Sequence, residues 1–583
     1  MSRRWISLLL ALSLVLLPGC GEKEAQKESA FGAEASVFSA EAETASTLEQ
    51  TAPAITGNGT FSMPYNDSYG WNPFTCRGLE NRAVMQLIYE GLFAMNPEFE
   101  AEYGLCQSFS VSEDGLVYTL ELREAYFSNG RQLQPLDVTY SMEQAQASEI
   151  YASRFADIDT FYISENNTVT VTLHTANDQL PCLLTFPIVP NGSGGESAPG
   201  TGPFVRASEN MLTTNGQWWQ GLGNLSFQTV TLFSSASAED TRDNFEIDNV
   251  HFVYNNPSAS SAATYHCDYE LWNSPNTVMQ YIGFNFQAGV FQDEEVRRAV
   301  SRAISRSDIV ETAYHNFADA AVLPVAPASK MYYEDLVQTY NFTSSQDAME
   351  ELLGTSSFFL PEEKIAELKN PEADVLQSES PQPEDGEETP EDDPDGDDAD
   401  PEEDDPEEPE DGEDGKAEED EDGEKKETTF NNIVFIVKAG NLSRVTAAQE
   451  AAKYLTLAGF TVDLQELEES DYKKALSDRE FDIYYSEVAL KPDFDLREIL
   501  LSTGDLYYGG VPENENLRTL LYNAMENNGN RYDLYKYIME KGYLCPVLFV
   551  NHAVFTTRGV FSDLSPALDN MFYQITNIQV NQN

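Results

Sequence analysis

The spacing of hydrophobic and polar positions changes along the chain in the way typical of a mixed α/β protein. From Leu79 to Phe93 the apolar residues recur at helical spacing. Ser108 to Arg123 instead alternates with a period of two around a Glu-Asp-Gly turn, which predicts a β-hairpin. Asn167 to Thr175 alternates in the same way and predicts another strand. Glu294 to Tyr314 predicts one strong amphipathic helix.

Further along, the pattern predicts a regular alternation of strands and helices. The segments NIVFIVK, FTVDLQEL and FDIYYSEV have the composition of strands. Between them, VTAAQEAAKYLTLAG and a stretch around Tyr472 to Leu476 have helical spacing. The order β-α-β-α-β predicts a parallel sheet that is flanked by helices.

The N-terminus has the pattern of an export signal. Two arginines precede a 13-residue apolar stretch, Trp5 to Leu17, which is short of the about 20 residues that span a bilayer. The stretch ends in Leu-Pro-Gly-Cys, which resembles the bacterial lipoprotein box, so residues 1–20 are predicted to be a lipoprotein signal peptide and Cys20 the lipidated residue. An ordinary secretory peptide that is cleaved elsewhere is the alternative. Residues 21–54 are polar and aperiodic, which predicts a flexible tether.

Charge restricts the possible partners. The formal net charge is -65, and residues 371–427 hold 31 Asp or Glu against 3 Lys. A negative field of this size argues against nucleic acid and against an anionic lipid surface as partners. The acidic run is self-repelling and is punctuated by Pro and Gly, so it predicts a disordered segment.

The cysteines do not indicate a disulfide framework or a zinc module. If Cys20 is lipidated, five remain, which is an odd number, and none forms a C-x-x-C pair. We expect them to be small core residues. The five are Cys76, Cys106, Cys182, Cys267 and Cys545.

Signatures of catalysis and of metal binding are also missing from the sequence. It contains neither H-E-x-x-H nor G-x-S-x-G, and its five histidines are scattered. Asp393, Asp395 and Asp397 have the spacing of an EF-hand loop, but the glycine stands at position four and the twelfth position is Asp404. The sequence therefore predicts no catalytic residue, no metal site and no cofactor.

Several motifs together resemble one family, the extracellular solute-binding proteins, family 5, of ABC importers. This family takes up oligopeptides, dipeptides, nickel and some glycans. The resemblance covers roughly residues 59–360 and 430–575. The motifs that carry it are, in order, NPFTCRGLENRAVMQLIYEGLF, SFSVSEDGLVYTLELREAYFSNGRQLQPLDVTYSMEQA, APGTGPF, FEIDNV, YIGFNF with EEVRRAVSRAISRSDIV, and LCPVLFVNHAVFTTRGVFSDLSP. In APGTGPF, Gly200 and Gly202 predict a turn whose φ values other residues cannot adopt.

The resemblance implies an α/β fold, a two-lobed periplasmic-binding-protein-like clamp of type II, cluster C. An extra subdomain is inserted in lobe I, and the acidic run 371–427 becomes a disordered insertion within lobe II. Carried over to this chain, the boundaries are 55–80, 195–280 and 550–583 for lobe I, 81–194 for the inserted subdomain and 281–549 for lobe II.

The resemblance also implies a function. A monomeric receptor, held by its lipid on the extracellular face of the bacterial cytoplasmic membrane, would capture an oligopeptide or dipeptide and deliver it to an ABC permease that an ATPase drives. It would be no enzyme and would have no nucleic-acid partner. Binding of another solute (nickel, haem or glycan), or a role as a surface peptide sensor on the same scaffold, remains open.

Ligand-binding residues are expected where the two lobes face each other. In many members a Trp-x-x-Asp element after a lobe II strand places an Asp on the α-amino group of the ligand. This chain has no Trp there, which leaves Glu487, Asp493 and Asp495 as the candidates. A helix-capping role for Asp495 is the alternative. Further candidates are the aromatic and amide side chains that suit an amphipathic ligand, Tyr65, Tyr69, Trp71, Asn72 and Asn285.

Overall fold

The structure, a computed structural model, describes residues 59–287, 289–341, 432–526 and 531–581. The predicted lipidation residue Cys20, the tether 21–54 and the acidic insertion 371–427 lie outside the described residues. Among the described helices, none has the length and apolar character needed to span a bilayer.

The described strands fall into several sheets. They are β1 (Gly59–Tyr65), β2 (Phe93–Met95), β3 (Ala101–Tyr103), β4 (Cys106–Val111), β5 (Val117–Leu122), β6 (Ile158–Ile163), β7 (Val169–Leu173), β8 (Phe204–Ser208), β9 (Met211–Thr214), β10 (Phe227–Ser234), β11 (Phe252–Asn255), β12 (Tyr269–Phe284), β13 (Ala318–Ala320), β14 (Asn432–Lys438), β15 (Thr461–Leu467), β16 (Ile483–Ala489), β17 (Cys545–Thr557), β18 (Phe561–Ser562) and β19 (Gln579–Val580).

The described α-helices lie between these strands. They are α1 (Leu79–Met85), α2 (Pro135–Gln146), α3 (Leu180–Leu183), α4 (Ala238–Glu246), α5 (Glu294–Ala303), α6 (Arg306–Tyr314), α7 (Glu334–Tyr340), α8 (Leu442–Leu457), α9 (Glu469–Asp478), α10 (Arg497–Leu500), α11 (Glu515–Asn523) and α12 (Arg531–Lys541).

Two four-stranded sheets build the first half of the chain. One has the order β1-β10-β9-β8, with β1 and β10 parallel, and the other is the antiparallel sheet β4-β5-β7-β6. The pairing of β4 with β5 confirms the predicted hairpin. Residues from both sheets share one hydrophobic core, so the segment 81–194 packs against the residues assigned to lobe I.

Two long strands connect the two halves of the molecule. One edge of β17 pairs with β12, and the other edge pairs with β13 in its first half and with β11 in its second. The register of β12 shifts between Ser274 and Val278, where three residues stand opposite the single residue Asn551. The predicted boundaries between the lobes fall inside β12 and β17, and they remain predictions.

Lobe II contains the predicted parallel sheet. The strands β15 and β16 lie on either side of β14, both parallel to it, and β16 also pairs antiparallel with β12. The chain therefore moves outward from β14 to β15 and then back across to β16. Such a reversal of strand order is a topological switch point, and here it falls between β14 and β16.

The prediction of one long helix over Glu294 to Tyr314 is wrong, because the structure has two helices there, α5 and α6. Ile304 and Ser305 between them are extended, with ψ 117° and 100°. The interruption lets the buried Arg306 guanidinium donate to the carbonyls of Ser301, Ala321 and Pro546. Periodicity does not reveal the break, since the apolar positions keep helical spacing on both sides.

The turn at Gly200 and Gly202 needs glycine for a different reason from the predicted one. Neither residue has a positive φ. A Cβ on Gly200 would instead lie 1.8 Å from the Ile88 carbonyl oxygen, and one on Gly202 would lie 2.8 Å from the same atom. The glycines therefore allow two stretches of backbone to approach closely, and the amide of Gly202 donates to Ile88.

Four of the five described cysteines are buried and all five are free, as expected for core residues. Three hydrophobic clusters form the core, and most of the inserted subdomain belongs to the lobe I cluster. Met95, Phe99 and Cys182 are exceptions, because they join the lobe II cluster. The segment 81–194, predicted to be the inserted subdomain, thus packs in both of these clusters.

Candidate functional site

The carboxyl edge of the parallel sheet in lobe II is the first candidate site. In open α/β sheets, ligands bind beyond the carboxyl ends of the strands at the switch point, which here means beyond β14 and β16. Helix α8 begins directly after β14, with Asn441 as its N-cap, whose side chain accepts from the amide of Arg444 at 2.9 Å. Near its own carboxyl end, β16 carries Glu487.

Arg444 and Glu487 form an ion pair at this edge. The distance between Arg444 Nη1 and Glu487 Oε1 is 3.8 Å, and the Glu487 side chain is 32% exposed. The same guanidinium donates to the carbonyls of Lys438 and Ala439, which fixes Arg444 against the end of β14. The site therefore offers opposite charges side by side, with the carboxylate open to solvent.

Buried polar side chains on β12, β16 and α6 form a hydrogen-bond network with the Glu487 carboxylate. Gln280 on β12 donates through Nε2 to Glu487 Oε2 at 2.7 Å and to the Tyr314 hydroxyl at 2.5 Å. The Tyr485 hydroxyl donates to Gln280 Oε1 at 3.0 Å. Burial, and then the charge of Glu487, raise the pKa of Tyr314. A buried hydrogen-bond network of this kind holds the Glu487 carboxylate in place.

In lobe I, the predicted aromatic residues meet at the carboxyl ends of a parallel strand pair. Tyr65 ends β1, and its ring lies 5.5 Å from that of Trp71, over which the Arg206 guanidinium sits at 4.2 Å. Tyr69 is exposed and packs on Gly78. The rings of Tyr65 and Trp71 therefore lie against each other, whereas Tyr69 lies against Gly78. All three residues remain predicted ligand contacts.

The predicted amides have structural partners. Asn72 accepts from the amide of Phe74 at 2.9 Å and lies against Gly195. Asn285 is buried, donates to the Phe481 carbonyl at 2.9 Å and accepts from the amide of Gln287. The side chain of Asn285 thus stabilises the end of β12.

Asp493 and Asp495 lie in a buried ionic cluster between lobe II and the inserted subdomain. Asn177 donates to Asp493 at 2.9 Å, and burial raises the pKa of that carboxyl. Asp495 accepts from Lys491 at 2.7 Å and from Arg497 at 2.8 Å, and Arg497 also binds Asp157 of the inserted subdomain at 2.6 Å. In this arrangement both carboxylates are paired within the protein.

A cavity of about 390 Å³ lies where the inserted subdomain meets lobe I. Eight aromatic side chains line it: Tyr89, Phe93, Tyr103, Tyr151, Trp218, Trp219, Phe572 and Tyr573. On its wall, Glu90 accepts from the indole N–H of Trp218 at 3.1 Å and of Trp219 at 3.0 Å. No predicted ligand residue lines the cavity.

Burial raises the pKa of Glu90 to about 7, although the two indole donors and the nearby Arg123 oppose the shift. A raised pKa stabilises the folded state at acidic pH, and that contribution is lost as the pH rises through 7.

We therefore expect Glu90→Gln, which stays neutral and keeps an acceptor oxygen, to gain stability relative to the wild type between pH 5 and pH 8. The expected gain is about 3 kcal/mol, measured by urea unfolding at both pH values. The exposed carboxylate of Glu209 provides the control, because Glu209→Gln should show no comparable gain. A pH-independent difference for Glu90→Gln would contradict the buried-acid interpretation.

Sequence reasoning found Glu487 but missed Gln280, Tyr314, Arg444 and Tyr485. A signal existed for Arg444, which lies in the first turn of a helix, where the helix dipole disfavours a cation. An arginine in that position needs a nearby anion or carbonyl group, and here it has both. Within the described ranges, no group of three or more His, Cys, Asp or Glu side chains is arranged to hold a metal ion.

Comparison with known proteins finds a similar family. The model of the bacterial extracellular solute-binding proteins, family 5 (middle), matches residues 100–369. The match covers less than half of the chain, which is similar to this family over those residues. The predicted resemblance to this family is thus confirmed.

Among the curated relatives of this chain is the glutathione-binding protein GsiB of Shigella flexneri serotype 5b (strain 8401). The two are 24% identical over 283 residues, which is 45% of this chain and 55% of GsiB. The chain therefore spans about half the length of this relative.

Solved structures share the fold of this chain. The oligopeptide-binding protein AppA from Bacillus subtilis, in complex with a nonapeptide, has a TM-score of 0.53 at 16% identity, covering 91% of this chain and 100% of AppA. The nickel ABC transporter from Bacillus halodurans has a TM-score of 0.63 at 16% identity, covering 88% and 98%. These likenesses confirm the predicted two-lobed, periplasmic-binding-protein-like fold.

Proposed function

We propose that this chain is a membrane-anchored extracellular receptor that captures peptides and delivers them to the permease of an ABC importer. The observation that carries the proposal is the pair Arg444 and Glu487 at the switch point of lobe II. A peptide presents an ammonium group and carbonyl or carboxylate oxygens. A solvent-open carboxylate beside a fixed guanidinium complements both.

The relatives support a peptide as the ligand. GsiB is named for binding glutathione, which is a tripeptide, and AppA was solved with a nonapeptide. Lipidation of Cys20 and the tether 21–54 would hold the monomeric receptor at the extracellular face of the cytoplasmic membrane. An ATPase then drives transport through the permease.

In this mechanism the two lobes close on the ligand. Glu487 accepts from the ligand's α-amino group, and Arg444 donates to a carbonyl or carboxylate oxygen of the peptide. The side chains of Tyr65, Tyr69 and Trp71 contact the ligand from lobe I. The bulge of β12 between Ser274 and Val278 supplies a place where the crossing strands can bend.

Other solutes remain alternatives for the same scaffold. The likeness to the nickel ABC transporter from Bacillus halodurans favours nickel among them, with haem and glycans as further possibilities. A surface peptide sensor would keep the binding site but need no permease.

A ligand screen tests the proposal. We expect short peptides to raise the thermal denaturation midpoint of the protein lacking residues 1–54, because a ligand that binds only the folded state at 100 times its Kd adds about 2.7 kcal/mol. Sugars, haem and nickel salts are screened in parallel. If a broad peptide library gives no shift while one of those solutes does, the peptide assignment is wrong.

A further inference from the structure

The aromatic cavity where the predicted inserted subdomain meets lobe I takes no part in the proposed peptide site. Neither Arg444 nor Glu487 is in its described lining. Its volume of about 390 Å³ is typical of pockets that hold small organic molecules. Four exposed residues of the lining mark its mouth: Glu102, Tyr103, Gln220 and Gln574. The buried aromatic side chains of the lining are Tyr89, Phe93, Tyr151, Trp218 and Phe572.

Two carboxylates of the lining accept hydrogen bonds from neutral groups. Glu90, which is half-buried, accepts from the indole N–H of Trp218 at 3.1 Å and of Trp219 at 3.0 Å. Glu102, at the mouth, accepts from the Tyr573 hydroxyl at 2.7 Å. Indole and phenol groups donate without adding a positive charge. The wall of the cavity therefore presents negative charge together with aromatic rings.

The arginines near these groups have contacts of their own. Arg82 lines the cavity, and its guanidinium lies 2.5 Å from the carboxylate of Asp569. The Arg123 guanidinium lies over the face of the Trp219 ring, 3.6 Å from the ring centroid. Burial raises the pKa of Glu90 by more than the charge of Arg123 lowers it. A ligand that brings a positive charge would thus stabilise the ionised Glu90 carboxylate.

We propose that this cavity binds an organic ammonium ion, whose nitrogen is held by the Glu90 carboxylate and whose apolar body packs against the surrounding rings. A cation is attracted both by a carboxylate and by the faces of Trp and Tyr rings. The same rings bury the apolar part of the ligand. An anion would be repelled by Glu90 and Glu102. The inference does not depend on the peptide proposal, because the two sites share no residue.

Binding of an ammonium ion at Glu90 depends on pH. Burial raises the pKa of Glu90 to about 7, so its carboxyl is neutral at pH 5 and ionised at pH 8. An alkylammonium group stays protonated at both pH values, as that of lysine does with its pKa of about 10.4. The affinity for such a ligand should therefore rise between pH 5 and pH 8.

Other titratable groups also face the cavity. Asp569 is ionised at both pH values, because Arg82 and Arg154 lower its pKa although burial opposes this shift. Burial raises the pKa of three lining tyrosines, which therefore stay neutral: Tyr89, Tyr151 and Tyr573. Glu102 is the remaining acid of the described lining. Its contribution persists in Glu90→Gln, so this variant isolates the effect of Glu90.

Isothermal titration of the full-length chain with phenethylamine tests the site at pH 8 and at pH 5. The uncharged phenethyl alcohol and the anion phenylacetate are titrated in parallel. We expect the wild type to bind phenethylamine saturably at pH 8, at least about tenfold more weakly at pH 5, and more tightly than either other probe. Glu90→Gln should bind phenethylamine weakly at both pH values. Glu209→Gln, which removes an exposed carboxylate outside the cavity, is the control and should bind as the wild type does.

Thermal unfolding at both pH values shows whether each variant is folded. The proposal is overturned if the wild type binds none of the three probes, or if Glu90→Gln keeps the affinity and the pH dependence of the wild type. Equal affinities of the wild type for phenethyl alcohol and phenethylamine would also overturn it, because the aromatic ring of the probe alone would then account for binding.

Discussion

Substitution of Arg497 by Met is expected to lower the free energy of unfolding by about 3–5 kcal/mol. The Arg497 side chain is only 12% exposed and binds two carboxylates at once, those of Asp495 and Asp157. Its removal leaves Asp157 without a cationic partner among the described residues and leaves Asp495 with Lys491 alone, in a region where few water molecules can replace the guanidinium. Arg497 also holds the pKa of Asp495 well below its usual range, together with Lys491.

The matched control is Arg518→Met on α11. Arg518 is also paired with a carboxylate, that of Glu513, but its side chain is 50% exposed. A solvent-exposed pair contributes less than about 1 kcal/mol, so the control should unfold almost as the wild type does. Urea unfolding of the three proteins measures the difference. Equal losses in the free energy of unfolding for the two variants would contradict the interpretation that the buried Arg497 links the segment assigned to lobe II with the predicted inserted subdomain.

Sequence patterns predicted the elements whose signals are local. The hairpin of β4 and β5 follows from period-two alternation, and the parallel sheet follows from the order of β14, β15 and β16. The break between α5 and α6 was missed because the reason for it lies elsewhere in the chain, at Ala321 and Pro546, whose carbonyls accept from Arg306. The requirement for Gly200 was misread for the same reason, since its close neighbour is Ile88.

The residues of the candidate site also divide into those that a local sequence pattern reveals and those that it does not. Glu487 could be found because it is a carboxylate near the end of a predicted strand. Nothing local distinguishes it from Asp493, whose partner Asn177 is 316 positions away. Arg497 likewise reaches Asp157 across 340 positions. Long-range contacts therefore decide which carboxylate is open to ligand and which is already paired within the protein. No local pattern in the sequence reveals these contacts.

Arg444 should contribute more to ligand affinity than any other described side chain of the lobe II edge. A buried or half-buried charge that pairs with a ligand group contributes about 2–5 kcal/mol. A loss of about 3 kcal/mol, within this range, should weaken peptide binding by about 100-fold or more. Loss of Arg444 also removes the cation beside Glu487. Lys453 provides the control on the same helix, because it forms an exposed pair with Glu450 three residues away.

The most direct measurement is isothermal titration of the best-binding short peptide against the wild type, Arg444→Met and Lys453→Met. We expect Arg444→Met to bind the peptide at least about 100-fold more weakly, and Lys453→Met to stay within about threefold of the wild type. Wild-type affinity in Arg444→Met, with the fold intact, would contradict the assignment of the peptide site to the carboxyl edge of lobe II.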